Sequence, residues 1–154
     1  MLTANQKAPV FTSTNQHGSN VSLSDLLQSH NVVLYFYPKD DTPGCTIEAN
    51  QFTALADKFE AANTRVLGVS KDSCESHQAF IHKFSLGIDL LADTDGELCE
   101  LYGVWQEKEK NGVKKMGIAR STFVIDQQGI LRLAQYGVTA EGHAAEILEF
   151  VKQL

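Results

Sequence analysis

Apolar residues fall along this chain in two rhythms. In "NVVLYFYP", residues 31 to 38, they run unbroken, which predicts a buried strand ended by Pro38, because proline cannot continue a central ladder. "RVLGVS", 65 to 70, is a second buried strand and "DLLAD" a shorter extended piece. "STFVIDQQGILRLAQYG" alternates in two runs about Gln127-Gln128-Gly129, the mark of a hairpin. A smaller hairpin is expected over residues 8 to 23, about His17-Gly18. Helical spacing appears in four places. Ile47, Phe52, Leu55 and Phe59 predict a helix over 45 to 62, and Phe80 and Phe84 one over 73 to 85 with Ser73 as a cap. "DGELCELYGV" suits a short helix with Leu98, Leu101 and Tyr102 inward, and Ile147, Leu148 and Val151 give a final helix over 140 to 153. Ser24 is a plausible N-cap for a brief turn in "SLSDLLQ", and "EKEKNGVKK" suits a solvated charged loop.

The predicted order is hairpin, β, α, β, α, α, β-hairpin, α. Alternating strands and helices imply parallel strands at the centre, and the late hairpin adds antiparallel ones at one side. The expected class is α/β: a mixed central sheet with helices on both faces, close to the thioredoxin-like architecture. No repeat, low-complexity tract or linker divides the chain, so one domain over 1–154 is expected.

Composition narrows the function classes. At 43% hydrophobic and 21% charged, the chain is ordinary for a globular protein and long enough to build a core without metal or disulfide. A net charge of −6 without a basic cluster argues against nucleic acid and anionic membrane as partners. No apolar run has membrane-span length, and "MLTANQKAPVF" does not resemble a secretory signal. Three irregularly spaced cysteines, Cys45, Cys74 and Cys99, form no disulfide framework and suit a reducing, cytoplasmic setting. No arm follows "ILEFVKQL" to swap between subunits, so a monomer is expected.

Cys45 stands out among the three. It lies just past a strand's C-terminal end and at a helix N-terminus, the edge where open α/β sheets bind ligands. Unpaired first-turn amides and the positive helix end favour thiolate. Most cysteines are structural, yet Cys45 is flanked by Thr42, Pro43 and Gly44 rather than by apolar residues. Pro43 fixes φ at the helix entry and Gly44 permits close approach of a small ligand. Thiolate formation alone is weak catalysis. A thiol brought from a pKa of about 8.5 to about 6 gains roughly 30-fold in thiolate at neutral pH but loses roughly 10-fold in nucleophilicity. Donors aimed at the transition state are needed, and one can be worth about 100- to 1,000-fold. Thr42 is the nearest, and Arg120, opening "RSTFVID", could reach across.

"PKDDTPGC", Pro38 to Cys45, matches the P-x-x-x-T-x-x-C motif of peroxiredoxins, and "YFYPKDDTPGCTIEA" resembles their bacterioferritin-comigratory-protein, or peroxiredoxin Q, branch. "KAPVFTSTNQHG", "VLGVSKDSCESHQAF", "LLADTDGELCELYGVW" and "RSTFVIDQQG" extend the likeness over nearly the whole chain. The resemblance implies reduction of hydrogen peroxide and organic hydroperoxides through a sulfenic acid at Cys45, in antioxidant defence. It implies that Thr42 and the Cys45 amide hold the peroxide oxygens, that Arg120 stabilises the thiolate and the stretched O–O bond, and that Pro38 and Pro43 shape the pocket. It implies no cofactor and no metal, with thioredoxin or another small thiol as reductant.

The chain departs from the branch at one point. Many members carry a resolving cysteine five residues after the first, and that position here is Asn50. Cys74, at the start of the next helix, is the alternative resolving residue; otherwise an external thiol closes a one-cysteine cycle. Cys99 suits core packing, and Cys74 with His77 makes a C-x-x-H pair that lacks a second pair for structural zinc. His17, His30, His82 and His143 are expected at the surface, Trp105 in packing, and Glu48 within reach of Arg120 to orient it. A thiol–disulfide carrier would place a cysteine at Thr42 or Glu48; a non-catalytic binding module would tolerate loss of Cys45.

Overall fold

The computed structural model describes all 154 residues. Strand β1 (Thr12–Thr14) pairs antiparallel with β2 (Asn20–Ser22), and α1 (Leu23–Leu27) follows. The central sheet is built from β3 (Asn31–Phe36), β4 (Thr64–Ser70), β5 (Asp89–Ala92), β8 (Ser121–Ile125) and β9 (Leu131–Tyr136). Its order is β5-β4-β3-β8-β9, with β3, β4 and β5 parallel and β8 and β9 antiparallel. This is the mixed sheet expected from the element order.

Strand pleating splits the core into two layers. Val33, Tyr35 and Tyr37 point to one face, where α2 (Pro43–Ala54), α3 (Ala56–Ala61), α4 (Cys74–Phe84) and α6 (His143–Val151) supply Phe52, Phe59, Phe80 and Ile147. Val32, Leu34 and Phe36 point to the other, covered by Leu23 of α1, by Leu98 and Cys99 of α5 (Glu97–Leu101), and by Tyr102 just beyond it. Because β3 is central and paired on both sides, the chain leaving its C-terminal end emerges at the middle of the sheet edge.

Five expectations change. The helix over 45 to 62 is two, broken at Leu55, whose φ of −102° and ψ of 3° leave the helical region. The break lets Phe52 and Phe59 meet, ring centroids 5.8 Å apart, both buried. The inward face of α2 is Cys45, Glu48, Ala49 and Phe52, while Ile47 is 40% exposed, because two of the inward positions are polar. Leu101 is likewise 46% exposed, and Cys99 takes the inward position. "EKEKNGVKK" is a regular hairpin, β6 (Trp105–Lys110) against β7 (Val113–Ile118), turned at Asn111 and Gly112, both with positive φ. Finally, α1 begins one residue before Ser24, after Ser22, so that Leu23 is fully buried.

Candidate active site

Strand β3 delivers the chain to residues 37 to 42, and α2 starts at Pro43. Thr42 is extended at the N-cap, but its hydroxyl does not cap the helix. It donates instead to the Lys39 carbonyl at 2.8 Å. Its proton is thereby committed and its lone pairs are left to accept. Pro43 occupies the first turn, where its missing N–H has no helical partner to lose. Pro38 and Pro43 are both exposed.

Cys45 is 2% exposed. Arg120, immediately before β8, donates from Nη2 to its sulfur at 3.4 Å. The opposite nitrogen, Nη1, donates to Glu48 Oε1 at 2.7 Å. The Glu48 side chain is wholly buried and its Oε2 has no partner. Burial pushes its carboxyl up to about 7, against the opposing pull of Arg120. Burial disfavours the Arg120 cation, but Glu48 and Cys45 more than offset this and raise its affinity for the proton. Gly44 has a role beyond ligand access: a Cβ there would stand 3.0 Å from Arg120 Nη2, so glycine leaves the lane through which the guanidinium passes. Cys45, Gly44, Glu48 and Arg120 thus converge, although Glu48 and Arg120 lie far apart in the chain, and Thr42 stands at the N-cap three residues before Cys45.

The other cysteines stay apart from this cluster's bonds. Cys74 is half-buried, and its thiol donates to the Asn15 carbonyl at 3.3 Å. Ser73 caps α4 as expected, accepting from the Ser76 amide at 3.1 Å. Cys99 is buried, and burial together with the Asp93 carboxylate pushes its thiol up. Cys74 and His77 do not face a common centre. His77 turns inward, with Nδ1 2.7 Å from Asp40 Oδ2 and Nε2 2.8 Å from the Leu91 carbonyl. Asp40, Asp72 and His77 bring three possible ligand atoms within 4.8 Å of one another, but Asp40 and His77 use theirs on each other.

One histidine departs from the surface expectation. His143 is buried rather than superficial, with Nε2 2.8 Å from Thr122 Oγ1, and burial pushes its imidazole down. His77, weighed only as a metal ligand, belongs to a buried network. Trp105 is half-buried with the Lys71 ammonium 4.0 Å from its ring centroid, a packing role as expected.

The AhpC/TSA family model matches residues 4–134. A putative peroxiredoxin Bcp of Helicobacter pylori is 48% identical over 148 residues, covering 96% of this chain and 97% of its own. The PrxQ structure of Xylella fastidiosa, a cysteine mutant, superposes with a TM-score of 0.93 at 35% identity, covering 99% of this chain and 97% of that one. A Xanthomonas campestris bacterioferritin comigratory protein, studied for alkyl peroxide reduction, gives a TM-score of 0.87 at 37% identity over 93% of this chain and 90% of its own. The thioredoxin-like peroxiredoxin fold and the sequence likeness agree, and the chain belongs to the AhpC/TSA family as a peroxiredoxin of the Bcp, or PrxQ, branch.

Proposed function

We propose that Cys45 is the peroxidatic residue of this thiol-dependent peroxidase, which acts as a single domain. The observation that carries the reading is the 3.4 Å contact from Arg120 Nη2 to the Cys45 sulfur, made by a guanidinium that Glu48 holds at its other end. In the reaction the thiolate attacks the terminal oxygen of the hydroperoxide. The S–O bond forms, the O–O bond breaks, and the leaving alkoxide or hydroxide takes a proton to become alcohol or water. Sulfur is oxidised to sulfenic acid and the peroxide is reduced.

Each neighbour has a task in that step. Arg120 donates to sulfur before attack and to the lengthening O–O bond during it. Thr42, its own proton committed to Lys39, accepts from the peroxide O–H. The Cys45 amide, in the first helical turn without an intrahelical acceptor, donates to a peroxide oxygen. Glu48 orients Arg120, Gly44 gives it room, and Pro38 and Pro43 line the mouth. Organic hydroperoxides join hydrogen peroxide as substrates, supported by the alkyl peroxide chemistry of the Xanthomonas relative.

An external thiol, thioredoxin in our reading, then attacks the sulfenic sulfur and expels water, and a second thiol releases Cys45. The engagement of the Cys74 thiol with Asn15 supports this one-cysteine cycle over resolution by Cys74. Three free cysteines support a reducing, cytoplasmic setting, and we take the unit to be a monomer. The test is peroxide consumption with a thiol reductant: wild type turns over, and Cys45→Ser is inactive. Equal activity of the two would overturn the reading.

A further inference from the structure

We propose that His77, acting through Asp40, is a positioning residue for the loop that presents Thr42 and Cys45. The inference rests on the peroxidase reading and extends its machinery to helix α4, across the sheet edge from Arg120's strand.

Asp40 lies two residues before Thr42, is 7% exposed, and has a partner on each side-chain oxygen and on its N–H. Its Oδ1 accepts from the Tyr37 hydroxyl at 2.5 Å. Its Oδ2 accepts from Ser76 Oγ at 2.8 Å and faces His77 Nδ1 at 2.7 Å. Its backbone N–H donates to Asp72 Oδ2 at 2.9 Å. Three of these four partners, Asp72, Ser76 and His77, belong to α4 or the segment leading into it. The loop is therefore gripped from outside as well as by its own bonds from Tyr37 to Asp40 and from Thr42 to Lys39.

His77 is the fixed point of that grip. The Leu91 carbonyl can only accept, so Nε2 carries a hydrogen toward it. On the other side the ring and the Asp40 carboxyl must share one proton, since two lone pairs cannot face each other at 2.7 Å. With the imidazole fully buried and tied at both nitrogens, it has one orientation, and Asp40 inherits it. A core that needed only volume here would be filled more cheaply by an apolar side chain, because a buried polar pair loses its hydration.

The residue that follows explains why such a grip is useful. Asp41 has a φ of +58°, a left-handed conformation uncommon for a residue other than glycine. It turns the chain so that Thr42 points back toward Lys39 and α2 starts beside Arg120. The Lys83–Asp41 contact, 2.8 Å long, comes from the same helix, but both side chains are half exposed and such a pair holds weakly. Asp40 and His77 are buried and are left to keep the turn in place.

The test compares two reactions of Cys45 in single-turnover experiments on wild type, His77→Gln, His77→Leu and Asp40→Asn. Oxidation by hydrogen peroxide depends on where Thr42 and the amide stand; alkylation by iodoacetamide depends mainly on the thiolate. Loss of positioning lowers the peroxide rate constant by about 10- to 100-fold in His77→Leu, as expected for a displacement near 1 Å. Alkylation stays within about threefold, since the thiolate itself is not altered. His77→Gln, which keeps an N–H toward Asp40, recovers part of the peroxide rate. Should His77→Leu fail to fold, Asp40→Asn and His77→Gln, close to the native volumes, carry the same comparison. Peroxide and alkylation rates that fall together, or do not fall in folded variants, overturn the role of His77. A wild-type chain inert to peroxide would instead overturn the peroxidase reading beneath it.

Discussion

Glu48 holds Arg120 by one oxygen only: Oε1 takes Nη1 at 2.7 Å while Oε2, equally buried, bonds to nothing. The carboxyl's site is therefore good enough to aim a guanidinium and poor enough to resist ionising. Burial lifts the group from its ordinary 4.5 to about 7. Folded Glu48 keeps its proton to higher pH than the unfolded chain does, so its contribution to stability is full below about 4.5 and is lost as pH rises through about 7. The loss is about 3 kcal/mol at most. Urea midpoints should fall between pH 5 and pH 8, and Glu48→Gln should flatten that fall. An identical slope in both proteins would count against it.

Removing the guanidinium should be severe. Arg120→Ala lowers the rate constant of Cys45 with peroxide by about 100- to 1,000-fold, the usual scale for a transition-state donor. Arg120→Lys should not rescue it, because an ammonium lacks the fork that spans Glu48 and Cys45 at once. Stopped-flow oxidation of the reduced proteins measures both.

For Thr42 the hydroxyl, not the methyl, should matter. Thr42→Ser keeps the bond to Lys39 and the free lone pairs, and should retain activity within about threefold, whereas Thr42→Val should lose about 100-fold. Peroxidase kcat/KM separates them; equal loss in both would point to shape instead of hydrogen bonding.

Cys74→Ser decides the resolving step. After one equivalent of hydrogen peroxide, mass spectrometry with dimedone should find the adduct on Cys45 in wild type and variant alike. A wild type lighter by two hydrogens, with the adduct confined to Cys74→Ser, would make Cys74 the resolving residue.

Gly68 tests the packing beneath the site. It pairs with Tyr35, and a Cβ there would come 2.7 Å from Leu90 Cδ2 and 2.9 Å from the Tyr35 ring and hydroxyl. Tyr35 in turn stacks on Phe52 of α2, centroids 4.6 Å apart. Gly68→Ala should cost about 1–3 kcal/mol, as overpacking does, read as a lower urea midpoint. Unchanged stability would mean that Tyr35 can yield.

Much of the fold was legible because its inner strands are plainly apolar. Strands β3 and β4 and the β8–β9 hairpin announce themselves by run or alternation, and α4 by its Ser73 cap. Where polar residues took inward positions, the pattern blurred: Cys45 and Glu48 hide the buried face of α2, and Ile47 misdirects it. The β6–β7 hairpin was missed because its strands are mostly exposed and charged, although Asn111-Gly112 is a strong turn pair. Around the site, Glu48 could be placed near Arg120 because it shares a helical face with Cys45. Asp40 and His77 could not be paired, since no local spacing joins residues 37 positions apart.

The Thr42 hydroxyl, turned to Lys39 rather than over the first amides of α2, leaves that helix without the cap that is worth about 1 kcal/mol. The opening turn is held less firmly for it, at the place where, in our proposal, a thiol reductant reaches a sulfur that is only 2% exposed. On that proposal, an engineer who stabilised the protein by restoring a cap there would slow its regeneration: the oxidised enzyme would outlive its substrate, sturdier and idle.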